Sequence, residues 1–399
     1  MPRVDNEIKQ AEKRNIVKMC AFIGMGGVFL SILIYLVFSN YSLKREMAGL
    51  QEGRRDEILV YLPSDLYVAA GQSMELYNNE VIWAGNMDNC HVSWNCELGQ
   101  NLARKYSLTA LEENIGVWEL ELNVYDNNME TVYNRTVNLH IVADNIPEGI
   151  RILNIGDSLS STGIWYERVR ELSSGKISFV GTRGYEECMH EGRPGFAAGS
   201  YLSEIGYERD GETVHPFWNP EEGRFDYQYY KDTYNIDPDV VQLWLGVNGM
   251  KLDPADNAKA IKTIVDSVRQ DDPEIPIYIV NTPYLSGQDG IGYQQDIYGY
   301  IVLQGTWKLE EDRKIMNLML ELEEELGDYR SVYFIPAAIM HDSENNYKTS
   351  AVPVNPESSG LCDTVVESVH PEEAGYRQIA GCMYGVYCGT MDGTLPLAE

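Results

Sequence analysis

The sequence predicts an α/β domain on a parallel sheet, preceded by a small all-β domain and an apolar span. Three observations predict it. From Glu57 to about Asp144 apolar and polar residues alternate with period two, the mark of half-buried strands. From Ile150 onward, short apolar runs of strand length alternate with stretches at helical spacing, as in a sheet covered on both faces. The first of those runs, Ile152-Leu153-Asn154-Ile155, stops abruptly at Gly156-Asp157-Ser158. Strand, tight turn and helix is a layout that holds a hydroxyl at a strand's carboxyl end, where ligands bind in open α/β sheets.

In chain order, residues 1–18 are polar and mixed in charge, and Met19 to Phe38 is a run of 20 residues without a charge. That length spans a bilayer as a helix. A cleaved signal peptide is the rival, but the run is long for one and no small-residue cleavage site follows. The expectation is an uncleaved single-pass anchor with the following domains outside. Arg3, Lys9, Lys13, Arg14 and Lys18 before it and Lys44, Arg45, Arg54 and Arg55 after it leave the orientation to function rather than charge. Residues 39–55 read as a stalk.

Residues 56–145 follow as the all-β domain. Trp118, Leu120, Leu122 and Val124 alternate with Glu119, Glu121, Asn123 and Tyr125, and Asp126-Asn127-Asn128 signals a turn. Val137, Leu139 and Ile141 repeat the pattern. Short strands at this spacing suggest a β-sandwich. It resembles an immunoglobulin-like accessory domain in architecture only, since Cys90 and Cys96 are too close in sequence for an inter-sheet bridge. Carbohydrate binding and a spacer role both stay open. Asn134-Arg135-Thr136 matches a glycosylation acceptor, which matters only in a eukaryotic secretory route.

Asn145 to Gly149 reads as a linker. Beyond it, strands are expected at Ile177–Val180, Val240–Leu245, Ile275–Val280 and Val332–Ile335, and helices at Gly163–Leu172, Asn257–Arg269 and Leu309–Leu326. In the last helix Glu310, Glu311, Glu323 and Glu324 read as a solvated face.

The formal charge of −30 argues against a nucleic-acid partner. Tyrosine, at 27, far outnumbers phenylalanine, at 8, and can serve either a core or a sugar-stacking surface. Besides Cys20 in the apolar run, Cys90, Cys96, Cys188, Cys362, Cys382 and Cys388 form no CxxC pair. Local bridges Cys90–Cys96 and Cys382–Cys388 and free thiols stay open. No histidine has ligand spacing, so neither a metal nor any other cofactor is expected, and the absence of GxGxxG disfavours a dinucleotide.

Four pieces line up: Gly156-Asp157-Ser158; Glu191-Gly192-Arg193-Pro194-Gly195-Phe196; Gly246-Val247-Asn248; and Glu367-Ser368-Val369-His370-Pro371. Together they resemble the SGNH (GDSL-type) hydrolase family, named for Ser, Gly, Asn and His in four blocks. The resemblance covers residues 150–390 and implies a flavodoxin-like three-layer α/β/α domain. It implies a serine esterase with Ser158 as nucleophile and His370 as base. The oxyanion donors would be the Ser158 N–H, the Gly195 N–H (Gly192 is the alternative) and the Asn248 amide. The family places an Asp three residues before the histidine, where this chain has Glu367. Glu367 is kept as the acid with Asp363 in reserve. The third block usually ends in Asp after the Asn, where this chain has Gly249. The implied substrate is an acyl, above all acetyl, ester on a carbohydrate. The aromatic segment Phe217 to Tyr230 is a lid, a pocket rim or plain packing. A glycan O-acyltransferase with the same triad, or a non-catalytic glycan-binding surface protein, are the alternatives.

Overall fold

Nine short strands come first: β1 (Ile58–Val60), β2 (Asp65–Ala69), β3 (Ser73–Tyr77), then β4 (Ile82–Ala84) after the one-turn helix α1 (Asn78–Val81), β5 (His91–Asn95), β6 (Gln100–Asn101), β7 (Lys105–Thr109), β8 (Gly116–Tyr125) and β9 (Thr131–Val142). The structure is a computed structural model and describes residues 58–208, 211–286 and 308–391. The tail, the apolar run Met19–Phe38 and the stalk lie outside these. Among the described residues no helix is long and apolar enough to cross a membrane.

The β-rich part holds a four-stranded sheet, β2-β9-β8-β5, and a three-stranded one, β3-β7-β6. The period-two pattern does what it predicts. Leu120, Leu122 and Val124 of β8 are buried beside Val137, Leu139 and Ile141 of β9, while Glu119, Glu121 and Asn123 stay outside the core. Met74, Leu76, Tyr106 and Leu108 from the other sheet share that core.

The second part runs β10 (Ile150–Gly156), α2 (Gly163–Leu172), β11 (Ile177–Val180), β12 (Arg183–Tyr185), β13 (Cys188–Gly192) and α3 (Ala198–Tyr201). Two hairpins follow, β14 (Ile205–Glu208) with β15 (Gly211–Val214) and β16 (Trp218–Asn219) with β17 (Arg224–Phe225), then α4 (Tyr227–Tyr234). The chain continues through β18 (Val240–Trp244), α5 (Pro254–Asp271), β19 (Ile277–Val280), α6 (Lys308–Leu326), β20 (Val332–Ile335) and α7 (Ala337–Met340). The hairpin β21 (Thr349–Pro353) and β22 (Leu361–Val365) leads to the last helix, α8 (Glu373–Thr390).

The central sheet has the order β12-β13-β11-β10-β18-β19-β20 and is parallel except for β12. Within it, β11-β10-β18-β19-β20 is the doubly wound order 2-1-3-4-5, with its switch point between β10 and β18. Alternate side chains go to opposite faces. Ile152, Val240 and Tyr278 join the core holding Trp165 of α2 and Ile379 of α8. Leu153, Ile155, Val241, Leu243 and Ile279 join the core holding Ile261, Ile264 and Val265 of α5. The result is three layers, helix, sheet, helix.

On the α2/α8 face the sheet carries a buried polar chain. Gln242 Nε2 donates to Asn154 Oδ1 at 2.9 Å, Asn154 Nδ2 donates to the Tyr166 hydroxyl at 3.1 Å, and the Tyr387 hydroxyl donates to Gln242 Oε1. A polar group in the core is tolerable only when satisfied in this way.

Helix α8 also fastens the two parts together. A Cβ added to Gly385 would stand 2.6 Å from the Tyr67 carbonyl of β2, so only glycine permits that approach. Gln378 Nε2 donates to the Tyr77 hydroxyl at 3.0 Å, and the Tyr384 hydroxyl donates to Asp144. The residues read as a linker therefore join two parts that share a core.

One expectation needs correcting, and two alternatives left open are decided. The Glu face of α6 is not solvated throughout: Glu311 is 1% exposed, and burial raises the pKa of Glu323, against the nearby Arg135. The β-rich part covers that end of α6, where Trp83 Nε1 donates to the Leu309 carbonyl at 2.7 Å. The local disulfides do not form, and all six described cysteines are free. Cys90 and Cys96 flank the extended strand β5, which separates them by about 20 Å at a strand's rise per residue. Cys382 and Cys388 sit six residues apart on α8, about 9 Å along its axis. Neither spacing allows a bridge. Finally, Phe217, Phe225, Tyr227 and Tyr230 are buried, and Phe217 stacks on Tyr230 at 4.2 Å, so that segment is packing, not a lid.

Candidate active site

The turn after β10 is laced by its own side chains. Asp157 Oδ1 accepts from Leu159 N at 2.9 Å, the Ser160 hydroxyl donates to the Asp157 carbonyl at 3.0 Å, and the Ser161 hydroxyl donates to the Ser158 carbonyl at 2.9 Å. Thr162, not Ser158, occupies the N-cap position of α2. Ser158 is thus free of a capping role and sits on the turn at the switch point. Asp157 is fully buried with Oδ2 unpartnered, and burial pushes its pKa up to about 7.

Ser158 Oγ meets His370 Nε2 at 2.9 Å across 212 residues of sequence. On the other side of the ring, Glu367 Oε1 lies 3.4 Å from His370 Nδ1. The same oxygen accepts from the backbone N–H of Val369 at 2.9 Å and of His370 at 3.2 Å. The extra methylene of Glu lets the carboxylate fold back over its own loop. Burial pushes the Glu367 pKa up, and the His370 imidazole and the Val369 N–H outweigh it, so the group is held below the usual carboxylate range. Asp363, the reserve acid, is exposed on β22, where it pairs with Ala351. The carboxylate recorded beside the imidazole is Glu367, not Asp363.

The second block reaches the first through backbone. Gly192 pairs with Gly156 in the sheet, and Arg193 N donates to the Gly156 carbonyl at 2.9 Å. Arg193 to Phe196 close a turn, Phe196 N to the Arg193 carbonyl at 3.0 Å, with Pro194 and Gly195 at its centre. Gly195 has φ of 87°, as the third residue of a Pro-Gly turn requires. Beneath the loop lies a buried ion pair, Arg193 Nη2 to Glu191 Oε2 at 2.9 Å. Glu191 Oε1 also accepts from Thr182 N at 2.6 Å and from the Tyr230 hydroxyl at 3.0 Å.

The third block meets the second. Asn248 Nδ2 donates to the Phe196 carbonyl at 3.1 Å, which leaves its amide one further donor. The side chain is exposed. Where the family pattern has an acid, Gly249 makes room for Asn257 of α5: a Cβ on Gly249 would lie 2.3 Å from Asn257 Oδ1. Asn257 Nδ2 donates to the Gly246 carbonyl at 3.1 Å, so the turn carrying Asn248 is braced from the neighbouring helix.

The structure therefore brings Ser158, His370 and Glu367 together and links the loops of Gly195 and Asn248 to them through Gly156 and Phe196. Gly192, the alternative donor, has its N–H committed to His190 Nδ1 at 3.0 Å. Sequence reasoning did not find Tyr201 or Asn257, whose roles depend on which strand each helix covers. A cleft of about 540 Å³ opens beside Ser158 and His370, walled by Thr162, Ile164, Pro371 and Tyr376. That size suits a small ligand. Among the described residues no cluster of potential metal ligands occurs.

No family model and no curated protein matches the chain. Among solved structures it is similar to a carbohydrate esterase of family 3 from Talaromyces cellulolyticus, at 15% identity over 62% of this chain and 100% of that one, TM-score 0.37. It is similar to a family 3 carbohydrate esterase of Clostridium thermocellum, at 19% identity over 59% and 93%, TM-score 0.35. A salicylyl-acyltransferase from a tetracycline biosynthetic pathway is similar at 11% identity over 86% and 80%, TM-score 0.32.

Proposed function

We propose that the chain is a serine ester hydrolase acting on small acyl esters, above all acetyl esters of carbohydrates. The observation that carries this reading is the 2.9 Å contact between Ser158 Oγ and His370 Nε2 at the end of β10. A serine hydroxyl becomes a nucleophile when a base takes its proton as it attacks. His370 is that base, and Glu367 holds the ring and stabilises the imidazolium. The 3.4 Å Glu367 contact is longer than a standard hydrogen bond, a looseness common before substrate binds.

Attack on the ester carbonyl forms a tetrahedral oxyanion. The Ser158 and Gly195 N–H groups and the free Asn248 N–H are its donors in this reading, each worth roughly 3 kcal/mol in comparable sites. His370 then gives its proton to the departing alcohol oxygen. Water, deprotonated by His370, cleaves the acyl-enzyme and restores Ser158. Carbohydrate as the alcohol, and acetyl as the acyl group, come from the resemblance of the four blocks to SGNH hydrolases. In the same reading, Met19–Phe38 anchors the protein with its catalytic part outside the cell.

The test is Ser158→Ala assayed on 4-nitrophenyl acetate and on acetylated xylo-oligosaccharides, with a fluorophosphonate probe on the unsubstituted protein. Loss of turnover and labelling of Ser158 are expected. Retained turnover in Ser158→Ala would discard the assignment.

A further inference from the structure

The cleft beside the nucleophile is one-sided in charge. It lies between the start of α2 and the start of α8, on the flank of His370, and its rim carries Glu372 and Glu373. Glu372 occupies the N-cap position of α8, and its backbone N–H is held by the Asn346 carbonyl at 2.9 Å. Both side chains belong to exposed residues. Arg377 is the nearby cation, and it is shared: Nη1 lies 4.0 Å from Glu373 Oε1, and Nη2 lies 3.4 Å from Glu171 Oε2. Among the described residues no cation lies within ion-pair distance of Glu372. Arg168 of α2 is occupied by Glu171 at 3.0 Å.

Which half of an ester enters this cleft follows from His370. Its Nε2 faces Ser158 and must deliver a proton to the leaving oxygen, so the alcohol departs along the wall that His370 begins. Glu372 and Glu373 continue that wall. We propose that these two carboxylates determine specificity for the alcohol: it is a neutral polyol or a cation, and esters of anionic alcohols such as uronates or sulfated sugars are rejected. The inference rests on the ester-hydrolase reading and adds the charge class of its substrate.

Physically, each carboxylate opposes a like charge at about 6 Å by about threefold in water, so the pair opposes it by about tenfold. Neutral sugars instead offer hydroxyl donors to the carboxylate oxygens. The formal charge of −30 repels anions at longer range and acts in the same direction on encounter. Salt screens both effects.

The experiment uses three phenyl acetates differing in the phenol: 4-sulfonate, 4-carboxamide and 3-trimethylammonium. Each kcat/KM is divided by that ester's hydroxide-catalysed rate. At low ionic strength the sulfonate is expected about tenfold below the carboxamide and the trimethylammonium ester above it. In 0.5 M sodium chloride the spread narrows to about twofold or threefold. In Glu372→Gln/Glu373→Gln the sulfonate-to-carboxamide ratio moves toward one. Equal normalised values in the unsubstituted protein, or a ratio unchanged in the double variant, would overturn the proposal. The ester-hydrolase reading is judged separately, by Ser158→Ala on the neutral carboxamide ester.

Discussion

The Tyr201 hydroxyl lies 2.8 Å from the carbonyl of Gly156, the last residue of the strand that presents Ser158. It also reaches the Glu191 carbonyl at 2.5 Å, so one phenol spans the ends of two adjacent strands, β10 and β13. In Tyr201→Phe, Gly156 keeps the Arg193 N–H as donor, while Glu191 loses the phenol as a partner. The expected outcome is a stability loss of about 1 kcal/mol by urea denaturation. A kcat reduced severalfold with KM little changed should accompany it, because the substrate cleft itself is untouched.

Gly249 and Asn257 occupy space that a Cβ would contest. Gly249→Ala must displace Asn257 and with it the bond to Gly246, loosening the turn that carries Asn248. A kcat about tenfold lower is expected. Asn257→Ala removes the obstructing amide, so the double variant should lose clearly less than the sum of the singles. Additive losses in that double-mutant cycle would show that the two residues do not share a role.

Glu367 and Asp363 separate cleanly as alternatives. Glu367→Gln keeps the shape and loses the charge beside the imidazole, and kcat should fall by roughly 10³–10⁴ with thermal stability nearly kept. Asp363→Asn, on an exposed hairpin, should change kcat less than twofold. Steady-state kinetics on 4-nitrophenyl acetate reads both.

Three buried histidines are expected to destabilise the fold in acid. Burial depresses His341, His190 and His215 to about 4, with Arg183 and Arg193 adding to the effect at His190. His190 Nδ1 accepts the Gly192 N–H at 3.0 Å, so protonation there would set a donor against a donor. Between pH 6.5 and 4 the unfolded chain binds these protons and the folded chain does not, so stability falls as pH falls through that window. Asp157, raised to about 7 by burial, runs the other way: its folded form holds a proton that the unfolded chain has lost above about pH 4, so its contribution declines as pH rises toward 7. Urea-denaturation free energies from pH 4 to 8 should rise steeply from 4 to 6.5. Asp157→Asn should steepen the rise between pH 4 and 6.5 and remove the decline between 6.5 and 7.

Local pattern carried much of the fold. The helices around Trp165, Ile261 and Met316 lie where apolar spacing puts them, and the expected strands at Ile177–Val180 and Val332–Ile335 are found at those bounds. These elements bury one face, so their period is written in the chain. The misjudged glutamate and the undecided cysteines share a cause. Glu311 looks solvated on a helical wheel and is buried in a helix that packs on β1 and β4, more than 200 residues earlier. The cysteine pairs look close in sequence and are held apart by the elements between them.

What the sequence alone determined is the set of chemical groups and the order of strands and helices that carry them, because periodicity and turn residues act over a few neighbours. What only the tertiary structure decided is which groups meet. The parallel sheet sets β10 beside β18 and β13, and α8 against β2, by burying apolar faces far apart in sequence. That burial brings His370 to Ser158, sets Glu367 rather than Asp363 against the ring, and places Glu372 and Glu373 on the rim of the cleft beside them.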